Sequence, residues 1–183
     1  MSRLAMVLCA AALAGCAATI RTSETVAEST AGRRVRDSAG NSYDVTLLRG
    51  DDRSDLVLRK RDPHGRLSWE RRAAGGAPSS GGHALTLDGA GNVVVVWTVT
   101  GVGERLADVR VDRYDADGRL LATKTWDGGN GADFGDGVTV RPDGVVVVSG
   151  RSYAGAGRFV RWAIPLPCDG SLELAPEVEV AAR

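Results

Sequence analysis

Cysteine is scarce in this chain: Cys9, Cys16 and Cys168 are the only three, and they stand in unlike settings. Cys9 lies inside the first apolar stretch, Cys16 closes it, and Cys168 is far away near the C-terminus, so no disulfide framework can be built from them. Cys168 reads as a small, mostly inert side chain beside a turn. Histidine is scarcer still. His64 and His83 each sit in a turn or at a strand start, without a partner arrangement for zinc or for a Ser-His-Asp triad. The sequence also lacks G-x-S-x-G, a Walker loop and a G-x-G-x-x-G that opens a helix. Together these gaps point away from catalysis and from a cofactor. Charge of one sign is missing as well, since 23 basic and 23 acidic side chains cancel and are interleaved along the chain. No long-range field would draw nucleic acid to it. Lysine is confined to Lys60 and Lys124, and the many arginines, alanines, glycines and valines look like genomic codon bias.

What is present begins with the N-terminus. Residues 1–16 read MSRLAMVLCAAALAGC, with one cation at Arg3 and an unbroken apolar run from Leu4 to Ala14. That is the layout of a secretory signal, and the run falls short of the ~20 apolar residues that a membrane-spanning helix needs. Its last four residues, Leu13-Ala14-Gly15-Cys16, resemble the bacterial lipobox at all four positions. The resemblance implies cleavage after Gly15, with a diacylglyceryl group carried on the Cys16 thiol and a further acyl chain on the freed amine. Two or more acyl chains give stable anchoring where one is marginal. Membrane lipid, met through acylated Cys16, is therefore the first expected partner. Ala17 rather than Asp follows the cysteine, which points to the outer rather than the inner membrane of the cell envelope. Residues 1–15 are thus expected to be a signal peptide, and residues 16–36 a lipidated flexible tether poor in large apolar side chains.

Residues 37–183 repeat themselves. One turn signature is written three times, as Asp37-Ser-Ala-Gly40-Asn41, Asp88-Gly-Ala-Gly91-Asn92 and Arg141-Pro-Asp143-Gly144, with glycines 51 and 53 residues apart. A second follows each: Asp62-Pro-His-Gly65, Asp115-Ala-Asp-Gly118 and Cys168-Asp-Gly170, with glycines 53 and 52 apart. Between the markers, apolar positions alternate with period two, the mark of half-buried strands. The runs Val93–Trp97 and Val145–Val148 are apolar on both parities, which suits strands covered on both faces. Each period predicts four strands: one after the first signature (Ser42–Leu48, Val93–Thr98, Val145–Ser149), one before the second (Leu56–Lys60, Val109–Arg113, Phe159–Ala163), one after it (Leu67–Arg71, Leu120–Thr125, Leu172–Leu174), and a short one ending the unit (Ala84–Leu87, Val138–Val140). Helix is nearly absent after Cys16.

These segments resemble the β-propeller-type repeats, of about 50 residues, of exported bacterial proteins. The matches are Asp88-Gly-Ala-Gly-Asn92, Tyr114-Asp115-Ala-Asp-Gly118, and Gly128-Gly129 with Asp133. The resemblance implies an all-β fold of about three four-stranded antiparallel blades, an incomplete or oligomer-completed propeller, since closed propellers have four to eight. A β-sandwich is the alternative. Exposed sheet edges invite pairing, so a homo-oligomer or another envelope protein is the expected protein partner.

The residues with the best title to face a ligand are Trp97, Trp126, Asp127, Asp133 and Asp136. Flat indole rings could stack on carbohydrate, although they serve equally to fill the interfaces between sheets. The aspartates lie in the Gly-rich loop from Asp127 to Gly137, where oxygen ligands could hold Ca²⁺; the spacing is not that of an EF-hand, and turn formation accounts for them, so no metal is expected. The functional expectation is a membrane-anchored envelope lipoprotein with a β-repeat binding or scaffold domain and no catalysis. The alternatives are a carbohydrate-binding surface protein and an accessory subunit of a secreted hydrolase or lyase.

Overall fold

A computed structural model describes residues 34–49, 53–76, 82–100, 107–128, 131–167 and 172. Cys16 and Cys168 lie outside the described residues. Among those described there is no helix, and the strands form three antiparallel sheets. The first contains β1 (Arg34–Arg36), β2 (Ser42–Arg49), β3 (Ser54–Arg61) and β4 (Leu67–Ala74) in that order. The second contains β5 (His83–Leu87), β6 (Val93–Val99), β7 (Asp108–Tyr114) and β8 (Leu120–Trp126). The third contains β9 (Asp133–Val140), β10 (Val146–Tyr153) and β11 (Phe159–Pro165). Each strand pairs only with its neighbours in sequence, and the three sheets do not close on themselves.

The turn signatures work through one repeated clamp. The Asp88 carboxylate accepts from the backbone of Ala90 and Asn92, both at 2.9 Å, and from Asn92 Nδ2 at 3.0 Å. Asp37 does the same toward Ala39 and Asn41, and Asp115 toward Asp117 and Arg119. The Arg119 amide is the largest cause holding the exposed Asp115 carboxyl below its ordinary range. The clamp needs a residue with φ near +80° before the chain turns back, and Gly40, Gly65, Gly91, Gly118 and Gly144 all supply it, at φ +78° to +84°.

The strand boundaries correct the sequence reading in three places. The short strand does not end a unit. Ala84–Leu87 pairs across the Asp88 turn with Val93–Val96, so it opens the second sheet; β1 and β9 open the other two in the same way. Arg34–Arg36, at the end of the expected tether, is therefore a strand. Further on, the second half of the expected Gly-rich loop is the start of β9. Its glycines permit close approach to the second sheet, because a methyl group on Gly135 would lie 2.8 Å from Val96 Cγ2 and 3.1 Å from Val109 Cγ1. The expected strand Leu172–Leu174 lies outside the described residues except for Leu172, which is a buried core residue.

Two cores hold the sheets together. Between the first and second lie Tyr43, Val45, Leu56, Leu58, Leu85, Val93, Val95, Trp97 and Tyr114. Between the second and third lie Val94, Val96, Val109, Val111, Val138, Val146, Val148, Trp162 and Ile164, with Ala84, Leu166 and Leu172. β6 thus sends its odd residues one way and its even residues the other, as a strand apolar on both parities should. β10 does not follow it: Val146 and Val148 are buried, but Val145 and Val147 are only half-buried, because nothing among the described residues packs on that side of the third sheet.

One carboxylate is sunk into this frame. Asp112 is fully buried, and it accepts from Trp97 Nε1 at 2.9 Å, Arg110 Nε at 2.9 Å and Thr123 Oγ1 at 2.5 Å. Three donors offset its desolvation. Trp97 therefore both fills the first core and satisfies Asp112. Trp97→Ala is expected to cost about 3–5 kcal/mol, whereas Val147→Ala on the free side of the third sheet should cost less than about 1 kcal/mol. Urea unfolding of the two variants beside the parent chain checks the contrast.

Candidate functional site at the junction of the second and third sheets

The expected ligand-facing residues do not converge on one surface. Trp97 has no exposed area and belongs to the first core, which corrects its assignment. The reason is parity: it continues the Val93, Val95 row, which faces the first sheet. Trp126 is half-buried at the end of β8 and meets Trp162 edge to face, with ring centroids 4.6 Å apart. It packs against the second core. Asp136 is exposed and pairs with Arg151 at 3.1 Å.

Asp127 and Asp133 do come together, and a third carboxylate joins them. Asp108, at the start of β7, Asp127, just after β8, and Asp133, at the start of β9, bring one oxygen each within 4.8 Å of one another. Asp108 and Asp133 are buried and Asp127 is exposed. The position of Asp133 follows from the chain around it. Its amide donates to Ala107 O at 2.8 Å, tying the third sheet to the start of β7. Its carboxylate accepts from the Gly128 amide at 2.6 Å and from the Ser152 hydroxyl, so it ties β8's exit to β10 as well.

Three carboxylates so placed are the donor type that a hard divalent cation takes, and Asp108, Asp127 and Asp133 are the residues that would hold one. Both oxygens of Asp133, however, already accept hydrogen bonds from the loop and the strand they join. The cluster is first a clasp between two sheets. At the equivalent junction of the first and second sheets the clasp is made by backbone: Thr100, just after β6, donates to Gly75 O, just after β4, at 3.2 Å. There Asp55, the counterpart of Asp108, faces Arg53 at 3.1 Å and Arg72 at 3.3 Å instead.

Asp108 and Ser152 were not singled out in the sequence. In the sequence Asp108 stands seven residues before Asp115 just as Asp55 stands seven before Asp62, and that equivalence hides their different neighbours. Ser152 carried no local signal, since its partner lies 19 residues away. No family model matches the chain, and no curated protein matches it either.

If Asp133 is a clasp, Asp133→Ala should destabilise the chain by about 1–3 kcal/mol, the cost of leaving buried donors without an acceptor. Asp136→Ala, which removes an exposed ion pair, should stay within about 1 kcal/mol. Denaturant midpoints of the two variants test this.

Proposed function

We propose that this chain is a lipid-anchored protein of the bacterial cell envelope whose β-repeat domain binds or scaffolds a partner and performs no catalysis. The observation that carries the anchoring is Leu13-Ala14-Gly15-Cys16 at the end of an apolar run too short to span a membrane. Cys16 receives the lipid, the outer membrane is its destination, and the β-repeat domain works at the end of a short tether. The intact mass of the mature chain tests this. A chain beginning at Cys16 and carrying diacylglycerol, with or without a further acyl group, is expected; an unmodified Cys16 or cleavage elsewhere would overturn it.

The finer reading of the fold is that the sheets are successive blades of an incomplete propeller, completed by a second copy of the chain. It is supported by the opening strands β1, β5 and β9, which neighbour one another in order, and by the meander within each sheet. The end face of the third sheet supports it too. On the third sheet the outward side carries Phe134, Tyr153 and Phe159, with ring centroids 5.5–6.0 Å apart and Arg151 stacked 5.2 Å from the Phe134 centroid. Beside them on the edge strand, Phe159 is 49% exposed. An aromatic and apolar end of this kind is expected to be covered. Light scattering on a form beginning after Cys16 should give a dimer, and Phe134→Ser with Phe159→Ser should shift it to monomer. A well-folded monomeric parent would sink this reading. The carbohydrate-binding alternative draws no support from the tryptophans, since Trp97 is buried and Trp126 and Trp162 pack on each other.

A further inference from the structure

Charges that alternate along the sequence are sorted by the fold. Where β4 of the first sheet meets β7 and the start of β8 of the second, an open groove is lined by Arg71, Arg72, Arg110 and Arg119, with Tyr114 and Leu120. Four arginines line this groove, and no acidic residue does. The acids that balance three of these arginines approach from one side only. Arg110 meets Asp112 through Nε at 2.9 Å. The nearest approach of Arg72 to Asp55 and of Arg119 to Asp115 is likewise through Nε, at 3.3 Å each. Asp55 and Asp112 are themselves buried, at 5% and 0% exposure.

A guanidinium held at Nε still presents its two terminal nitrogens as a fork that matches the oxygens of an oxyanion. Two of the arginines are also fixed against rings. Arg110 stacks 5.3 Å from the centroid of the buried Trp97, and Arg71 stacks 5.4 Å from that of Trp69. Arg71 is anchored further: its Nε donates to Gly118 O at 2.6 Å, its Nη2 to Asp117 O at 3.1 Å and its Nη1 to Glu70 O at 2.9 Å. It therefore lends the groove charge more than free donors. Ordering these side chains before a ligand arrives removes much of the entropic cost of binding. Tyr114 does not oppose an anion, because burial pushes its hydroxyl up to about 12 and keeps it neutral near pH 7.

We propose that this groove is a binding site for a multiply charged phosphate group, gripped by the forks of Arg110, Arg72 and Arg119 in the field of Arg71. Several forks along one groove favour an anion with more than one charge over a single carboxylate. Such a group could be borne by a soluble phosphate ester or by a phospholipid head; the chemistry of recognition is the same.

The test is isothermal titration of the full chain in non-ionic detergent at low ionic strength, with inorganic pyrophosphate in one arm and dihexanoylphosphatidic acid in the other. Saturable binding is expected in at least one arm. It should weaken by roughly tenfold or more in Arg119→Gln and in Arg110→Lys, which keeps the charge but loses the fork. The Arg119 side chain is 78% exposed, so its replacement does not threaten the fold. Arg34→Gln with Arg36→Gln, in β1, should bind as the parent does. Tighter binding of pyrophosphate would mark a soluble ligand and tighter binding of the lipid a headgroup, and either supports the site. Absence of binding in both arms, or binding that Arg119→Gln and Arg110→Lys leave unchanged, would overturn it.

Discussion

The second sheet is buried on both sides, and the other two sheets owe their positions to that constraint. A strand such as β6 can be apolar on both parities only if two separate layers take its side chains out of water. Val93, Val95 and Trp97 require the first sheet; Val94 and Val96 require the third. Each such side chain contributes about 1.5–3 kcal/mol when fully buried, so loss of either outer layer would expose a row of them at once. The polar element inside this frame follows the same logic. Asp112 is tolerable at full burial because Trp97, Arg110 and Thr123 surround it with donors, and it in turn fixes the orientation of two side chains that link the core to the surface.

The outer layers then face opposite problems, and the chain solves them differently. The outward side of the first sheet is charged. Across it Arg34, Asp44, Arg59 and Glu70 stand in one row of paired positions, with Arg59 meeting Glu70 at 2.8 Å and Arg61 approaching Asp44 at 3.8 Å. Such pairs add little stability individually, but they make an end that water can solvate. The outward side of the third sheet is aromatic instead, with one arginine laid across its rings. The stack is therefore polar in the structural sense: it has a finished end and an unfinished one.

Much of the fold could be read in advance, and the reasons are local. Period-two alternation located β2, β3, β7 and β8 to within a few residues, because side-chain direction in a strand is set by parity alone, and the run of valines located β6. The turns were legible because Asp, Gly and Asn at fixed offsets have few other uses. Which sheet a short strand joins was harder. Ala84–Leu87 was counted with the unit before it, although the Asp88 turn that follows makes a hairpin with β6. Glycine misled in a different way. Gly135 and Gly137 suggested a loop, whereas Gly135 makes room for the second sheet's valines. The candidate site was half legible. Asp127 and Asp133 stood close in sequence, but Asp108 and Ser152 join them only through sheet packing. Trp97 could have been placed correctly, since it shares the parity of Val93 and Val95 in a strand already read as covered on both faces.

One property of the topology bears on how the chain reaches this state. Because within each sheet every strand pairs with the next in sequence, closing each hairpin requires only a short loop. Contact order within a sheet is low for an all-β protein, and each sheet can form as a cooperative unit before it meets its neighbour. Only the docking of sheet on sheet is long-range. Partial unfolding should then follow the same seams, peeling away an outer sheet while the other two stay joined. The aspartate clasp at the junction of the second and third sheets sits on one of those seams, where it governs the order in which the layers come apart.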